Sequence, residues 1–203
     1  MIQNLVLVGC GHMGFAMLEP WAKNSAAQKI WVVEPSPKAL QGSSHKNVTL
    51  CANAAALPAN LNPDVVVFAI RPQGLEEAIA PYKKFSGALF LTIAAGKKLE
   101  TYGRVLGEVR LVRAMPNLAA RAGAAAILLA ADKDAKPEDK KTAEALFACL
   151  GKTFWLARED LMDAATALSG CGPAYFYLLA DVMAEAGRAL GLAPDLARQL
   201  ARQ

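Results

Sequence analysis

Histidine is nearly missing from this chain: there are two in 203 residues, His12 and His45. Four cysteines, Cys10, Cys51, Cys149 and Cys171, stand far apart, and no two form a C-x-x-C pair. So few imidazoles and no clustered thiols give no zinc pattern, and no metal site is expected. Scattered cysteines of this kind read as reduced thiols of a cytoplasmic protein. No apolar run approaches the ~18–20 residues that span a bilayer, so no membrane segment is expected. The run Leu5–Val8 is too short for a secretion signal and has no basic stretch before it. Excess charge is scarce too. Lys+Arg number 22 against 18 Asp+Glu, a formal +4 without a dense basic stripe, so no nucleic-acid partner is expected. Aromatics make up only 7%, while hydrophobic residues reach 54%, the balance of a chain that buries a sizeable core. The length fits one domain of roughly 150 residues and part of a second.

What is present alternates. Short β-rich runs fall at Leu5–Val8, Ile30–Val33, Val48–Leu50, Val65–Ile70, Ala88–Ile93 and Leu111–Ala114. Several are apolar at every position, as parallel strands covered on both faces must be. Between them, Met13–Asn24, Lys38–Gly42, Ala54–Leu57, Leu75–Tyr82 and Leu99–Leu106 read as helices or helical turns. Ala124–Ala130 and Phe154–Leu156 add strands around a helix at Pro137–Leu150. This alternation predicts an α/β fold, a Rossmann-type doubly wound, mostly parallel sheet, over residues 1–158. Residues 159–203 read as the start of an all-helical domain. A Gly-rich turn at Ser169–Pro173 leads into one long helix from Pro173 to about Leu190, and Pro194 opens another. Leu196 and Leu200 begin a stripe that Gln203 closes without a cap, so the helical domain reads as part of a longer one. The stripe Phe176, Leu179, Met183 and Leu190 is expected in a core or a subunit interface.

The main chemical signal is Gly9-Cys10-Gly11-His12-Met13-Gly14, which follows a strand and opens a helix. In that context G-x-G-x-x-G is a dinucleotide fingerprint. Gly9 gives the tight turn, Gly11 lets backbone approach a pyrophosphate, and Gly14 lets the helix pack close to the strand. The helix N-terminus supplies amides and a favourable dipole. Glu34 closes the second strand, where an acid accepts ribose hydroxyls and favours NAD; Ser36 and Lys38 instead suit a 2′-phosphate. The two readings stay open. Ala69-Ile70-Arg71-Pro72 follows the fourth strand, with Arg71 available to a pyrophosphate and Pro72 starting the next helix. Ala94, Ala95 and Gly96 offer only small side chains, as a wall against a nicotinamide ring needs. Asn53 either reaches the adenosine ribose or caps the helical turn after it.

Elimination narrows the chemistry. The last lysine is Lys152, and neither His nor Lys follows it. Hydride addition to a carbonyl makes an alkoxide that needs such an acid, whereas addition to a protonated imine makes a neutral amine and needs none. The chain therefore leans toward C=N reduction, with binding and orientation as its main contributions and no catalytic acid or base named. Leu168-Ser169-Gly170-Cys171-Gly172-Pro173-Ala174-Tyr175 offers a hydroxyl and a helix N-terminus to an anionic group.

Several segments together resemble the pyrroline-5-carboxylate reductases. They are Leu7–Gly14, Glu34-Pro35-Ser36-Pro37, Ala69–Pro72, Ala94–Gly96, Arg113-Ala114-Met115-Pro116-Asn117 and Leu168–Tyr175, the last two being the specific ones. The resemblance implies reduction of L-1-pyrroline-5-carboxylate to L-proline with NADPH or NADH, in a homodimer or higher homo-oligomer built through the helical domain. It places Gly9–Gly14 and Ala69–Pro72 at the pyrophosphate and nicotinamide ribose, and Ser36 and Asn53 at the adenosine end. Met115, Pro116 and Asn117 fall near nicotinamide and substrate, with Ser169 and Gly170 also on the substrate side. Arg71 stands where that family commonly has Lys, Cys171 where it usually has Ser, and its S-P-G-G-T-T loop falls beyond Gln203. Two other readings compete: a β-hydroxyacid-dehydrogenase-like oxidoreductase, which calls for a lysine on the long helix, and a non-catalytic dinucleotide-binding regulatory protein.

Overall fold

The computed structural model describes residues 2–36 and 45–203. The helical turn expected at Lys38–Gly42, and with it the Lys38 ammonium, lies outside the described residues. The chain divides into two compact units, Met1–Asp163 and Ala164–Gln203.

In the first unit β1 (Ile2–Val8), β2 (Ala27–Val33), β3 (Val48–Cys51), β4 (Val65–Phe68), β5 (Leu89–Thr92), β6 (Arg110–Pro116), β7 (Ala125–Ala131) and β8 (Gly151–Trp155) form one sheet. Their order is β3-β2-β1-β4-β5-β6-β7-β8. Every neighbouring pair is parallel except β6 and β7. That exception follows from the linker. Only residues 117–124, built around a short 3₁₀ turn at Leu118–Ala122 and left-handed Gly123, separate the two strands, too little for a crossover. The chain builds outward from β1 to β3, then returns to β1's other side to lay down β4. This reversal makes β1/β4 the switch point of the sheet.

The all-apolar strands serve two cores at once, because successive side chains point to opposite faces. Leu5, Leu7, Val65, Val67, Leu89 and Leu91 pack with Met17, Leu18 and Trp21 of α1 (His12–Lys23) and with Leu146 and Phe147 of α4 (Pro137–Phe147). The buried Trp21 indole donates from Nε1 to the Leu146 carbonyl at 2.6 Å, joining the two helices. On the other face Val6, Val8, Val66, Phe68 and Phe90 meet α2 (Leu75–Ile79) and α3 (Leu99–Leu106). Phe68 is the hub there, with ring centroids 5.5 Å from Tyr82, 5.7 Å from Phe90 and 5.9 Å from Tyr102.

Local chemistry shifts some boundaries. The helix expected over Leu75–Tyr82 ends as an α-helix at Ile79 and continues as a 3₁₀ helix over Ala80–Phe85. Pro81 lacks the N–H that an α-helix would use there. Pro72 does not start a helix: α2 begins at Leu75 behind a left-handed Gly74, and Pro72 stays in the preceding turn. β8 runs Gly151–Trp155, ahead of the expected Phe154–Leu156, because it pairs from Ala125↔Gly151 onward.

The second unit is helical, from α5 (Met162–Ser169), which runs through the division, to α6 (Gly172–Ala189) and α7 (Pro194–Arg202). Ala197 of α7 is buried, and a Cβ on Gly187 of α6 would come within 3.2 Å of its side chain. α6 itself has no buried residue. Its Phe176 is 74% exposed, and Leu179, Met183 and, just past its end, Leu190 are exposed as well.

The aromatic hub yields the first test. Phe68→Ala is expected to lower the unfolding free energy by about 3–5 kcal/mol in urea titration, the usual cost of emptying a buried phenyl site. A loss below about 1 kcal/mol would mean that this face is not a packed core.

Candidate functional site at the carboxyl edge of the sheet

The register fixes which residues share an edge. Cys51, Val33, Val8, Phe68, Thr92 and Arg113 are successive cross-strand partners. The segments just past them are Asn53, Glu34–Ser36, Gly9–Gly14, Ala69–Pro72, Ala94–Gly96 and Met115–Asn117. The first five leave the sheet at the carboxyl ends of parallel strands, and Met115 and Pro116 end β6 while still paired with β7, so the row runs along roughly 24 Å at the usual interstrand spacing. Ligands of open α/β sheets bind along this edge, beside the switch point.

The glycine loop shows why its residues are glycines. Gly9 has φ +90°, and a Cβ there would lie 2.6 Å from the Ala69 carbonyl oxygen. A Cβ on Gly14 would lie 2.4 Å from the Gly9 carbonyl oxygen, so α1 seats directly against the loop. Gly11 differs. It is exposed, and a Cβ built on it meets nothing within 4 Å. The close contacts are internal at Gly9 and Gly14, while open space lies in front of Gly11, the N-cap of α1. No side chain caps that helix end, so its first amides and the positive end of its dipole face an approachable surface. His12 is exposed and Met13 half-buried in this first turn.

Glu34 braces the loop. Its Oε2 accepts the Cys10 N–H at 2.9 Å and its Oε1 accepts the Ser36 N–H at 3.0 Å. A carboxylate has about four acceptor positions, so both bonds leave capacity for ribose hydroxyls. Cys10 is buried beneath the loop. Burial first, then the negative charges of Glu34 and Glu19, push its thiol up to about 11, so it stays protonated at neutral pH and is no nucleophile.

Asn53 takes the second of its two readings. Its Oδ1 accepts from the N–H groups of Ala55 and Ala56 at 3.0 and 3.1 Å, capping the 3₁₀ turn Ala54–Ala56. Beyond β4, Ala69 and Ile70 are half-buried and Arg71 is exposed, in no ion pair among the described residues. Ala94 is buried, Ala95 and Gly96 are exposed, and Gly96 has φ +69°. At the end of β6, Met115 is half-buried and Pro116 buried, and just past it the Asn117 Oδ1 accepts the Ala119 N–H at 3.3 Å. Ser169 and Gly170 belong to the second unit. There the Ser169 hydroxyl donates to the Ala165 carbonyl at 3.1 Å, and Gly170 N–H donates to Thr166 at 2.7 Å as α5 ends.

One set of polar residues at this edge escaped sequence reasoning. Arg113 of β6 is only 3% exposed, and its Nη1 donates to Glu159 Oε1 at 3.0 Å. Thr92 and Tyr102, both fully buried, hydrogen-bond to each other. The signal was the arginine itself: a charge flanked by apolar residues in a strand interior needs a buried partner. The partner, 46 residues away in sequence, carried no signal of its own.

A cavity of about 690 Å³ opens at the opposite, amino end of the strands, lined by Ile2, Asp64, Val65, Leu89, Arg110 and Asp139. Three of its polar side chains are paired within the protein: Arg110 with Asp139 at 2.6 Å, and Asp64 with the N–H groups of Gln3 and Asn4. Among the described residues no group of three or more His, Cys, Asp or Glu is placed to hold a metal ion, and no helix is long and apolar enough to cross a membrane.

The glycines separate folding from binding. Gly14→Ala is expected to destabilise the chain by about 1–3 kcal/mol through the clash with Gly9. Gly11→Ala is expected to leave thermal stability within about 0.5 kcal/mol of the parent, yet weaken dinucleotide affinity about tenfold or more by filling the space at the helix end. Calorimetric melting and titration with NADPH and NADH check both; unchanged affinity in Gly11→Ala would remove the helix end from the site.

Comparison with known proteins follows the same lines. A family model described as "Pyrroline-5-carboxylate reductase dimerisation" matches residues 159–203, and one described as "NADP oxidoreductase coenzyme F420-dependent" matches residues 4–96. The pyrroline-5-carboxylate reductase of Methanosarcina acetivorans is 35% identical over 99% of this chain and 76% of its own length. That of Pisum sativum is 39% identical over 69% of this chain and 52% of its own. The chain thus spans about half of the plant protein and about three quarters of the archaeal one. The crystal structure of Plasmodium falciparum pyrroline carboxylate reductase with NADP bound superposes with a TM-score of 0.81 at 26% identity, covering all of this chain and 75% of that one. With a doubly wound sheet, its glycine loop at the switch point and a Methanosarcina relative aligned along 99% of this chain, the chain belongs to the pyrroline-5-carboxylate reductase family.

Proposed function

We propose that this chain binds NADPH or NADH along the carboxyl edge of its sheet and reduces the C=N bond of L-1-pyrroline-5-carboxylate to L-proline. The observation that carries the reading is the open space in front of Gly11 at the uncapped N-terminus of α1, within a row of strand ends bearing all the cofactor-side motifs. Gly9–Gly14, with His12 and Met13 in the first helical turn, cradle the pyrophosphate, and exposed Arg71 adds a positive charge beside it. Glu34 holds the loop and, with Ser36, faces the adenosine ribose; Asn53 borders that end. Ala69, Ile70 and Pro72 line the passage across the switch point. Ala94, Ala95 and Gly96 form a wall of small side chains at the nicotinamide end, with Met115, Pro116 and Asn117 on the substrate side. Ser169 and Gly170 receive the substrate carboxylate.

The bound cofactor supplies a hydride. The protein's work is to hold the imine carbon in line with it and to exclude water. A protonated cyclic imine that accepts hydride becomes a neutral amine, so no side chain has to deliver a proton in that step. This accords with a helical region without His or Lys. The β-hydroxyacid-dehydrogenase reading needs a lysine on the long helix, and α6 has none. We place the division of labour at residues 1–158 for the dinucleotide and 159–203 for substrate and dimerisation. A homo-oligomer formed through the helical part would cover the exposed apolar side chains of α6. Four free thiols suit a cytoplasmic setting.

The test follows oxidation of NADPH and NADH on addition of L-1-pyrroline-5-carboxylate. It uses the chain as it stands and a chimera carrying the remaining quarter of the archaeal relative. Cofactor consumption matched by proline formation in either form supports the reading; binding without turnover in both rejects it. Ser36→Ala is expected to weaken NADPH about tenfold, the loss of one hydrogen bond to a charged group, and NADH much less. Equal losses would exclude Ser36 from a 2′-phosphate site.

A further inference from the structure

Arg113 places a guanidinium in the interior of a sheet, where it is only 3% exposed. Its Nη1 meets Glu159 Oε1 at 3.0 Å, and the same oxygen accepts the backbone N–H of Leu99 at 2.9 Å. Leu99 is the first residue of α3 and ends the turn that contains Ala94, Ala95 and Gly96. The start of that turn is held separately: Thr92 Oγ1 accepts the Ala94 N–H at 3.4 Å and is hydrogen-bonded to the Tyr102 hydroxyl of α3. Thr92 and Arg113 are register partners on β5 and β6. One hydroxyl and one carboxylate therefore pin the two ends of the turn. The same carboxylate neutralises the strand residue two positions before Met115.

We propose that Glu159 is a positioning residue for the nicotinamide half of the site, acting through the Leu99 amide on the Ala94–Gly96 turn and through Arg113 on the exit of β6. This inference rests on the cofactor reading above. Its chemistry is that of a buried counter-charge. Removing one partner of such a pair leaves the other unpaired, and the segments they tie are released together. Glu159 is 21% exposed on its side chain against 4% for Arg113, so the guanidinium bears the larger burial cost and depends on the acid. The carboxylate is also the first residue of the segment matched to reductase dimerisation. The start of that segment is thereby bonded to the turn that faces the ring.

A brace that served stability alone would weaken every part of the site equally. The positioning role is specific to one half of the ligand, so the test compares NADPH with adenosine 2′,5′-bisphosphate, which lacks the nicotinamide half. Both are titrated calorimetrically into the full chain. Glu159→Ala is expected to weaken NADPH about tenfold, while affinity for the bisphosphate changes less than about twofold because its contacts are distant. Glu159→Gln keeps an acceptor for Leu99 but not the charge, and is expected to show the same asymmetry at about threefold; it carries the test if the alanine variant does not fold. Equal weakening of both ligands, or unchanged NADPH affinity, overturns the proposal. Failure of the parent chain to bind NADPH, NADH or the bisphosphate overturns the cofactor reading itself, and this inference with it.

Discussion

Everything in the first unit depends on the burial of β1 from both sides. Leu5, Val6 and Leu7 are wholly buried, so the central strand must be covered above and below. Helices that cover both faces of a parallel sheet arise only from crossovers, and every crossover returns the chain to the same end of the sheet to start again. The carboxyl ends of β1 to β6 therefore collect along one edge, with the two directions of winding parting beside β1. An edge of this kind presents backbone amides and helix N-termini to whatever approaches, before any particular side chain is chosen. The functional residues are short segments added to a frame that apolar burial had already imposed.

Much of this frame was legible because its signal is local. Val65–Phe68 and Leu89–Thr92 have no polar face to show until Thr92, so they declare themselves buried on both sides. The glycine fingerprint declares a close approach. Features that depended on a partner elsewhere were less legible. The α-to-3₁₀ change at Ala80 turns on one proline, but the extent of the 3₁₀ segment is set by packing of Tyr82 and Phe85 into the aromatic core. The turn at Leu118–Ala122 lies in an alanine-rich tract whose composition favours no particular element, and the antiparallel return of β7 fixes it there.

The candidate site divides in the same way. Asn53 had two readings in the sequence, and its bonds to Ala55 and Ala56 establish the cap. Glu34 was readable as an acid at the end of the second strand. Its grip on the Cys10 amide was not, since it requires the loop after β1 to curl over the end of β2. Arg113 entered the sequence reading only as part of the Arg113–Asn117 motif, and its partner Glu159 sits among other surface-like acids in the sequence. Polar groups in this protein thus do two kinds of work. Some face the edge, and others lie just behind it and hold the backbone that faces it.

α6 obeys a different rule. An 18-residue helix with no buried residue gains little from its own unit beyond propensity and its contact with α7. Its phenyl, phenol and aliphatic side chains release their free energy only on meeting another surface. The order of this segment is therefore linked by mass action to whatever covers it: its melting temperature rises with the concentration of that surface, while that of the sheet does not. One polypeptide thus carries two stabilities, one intrinsic and one set by the abundance of its cover.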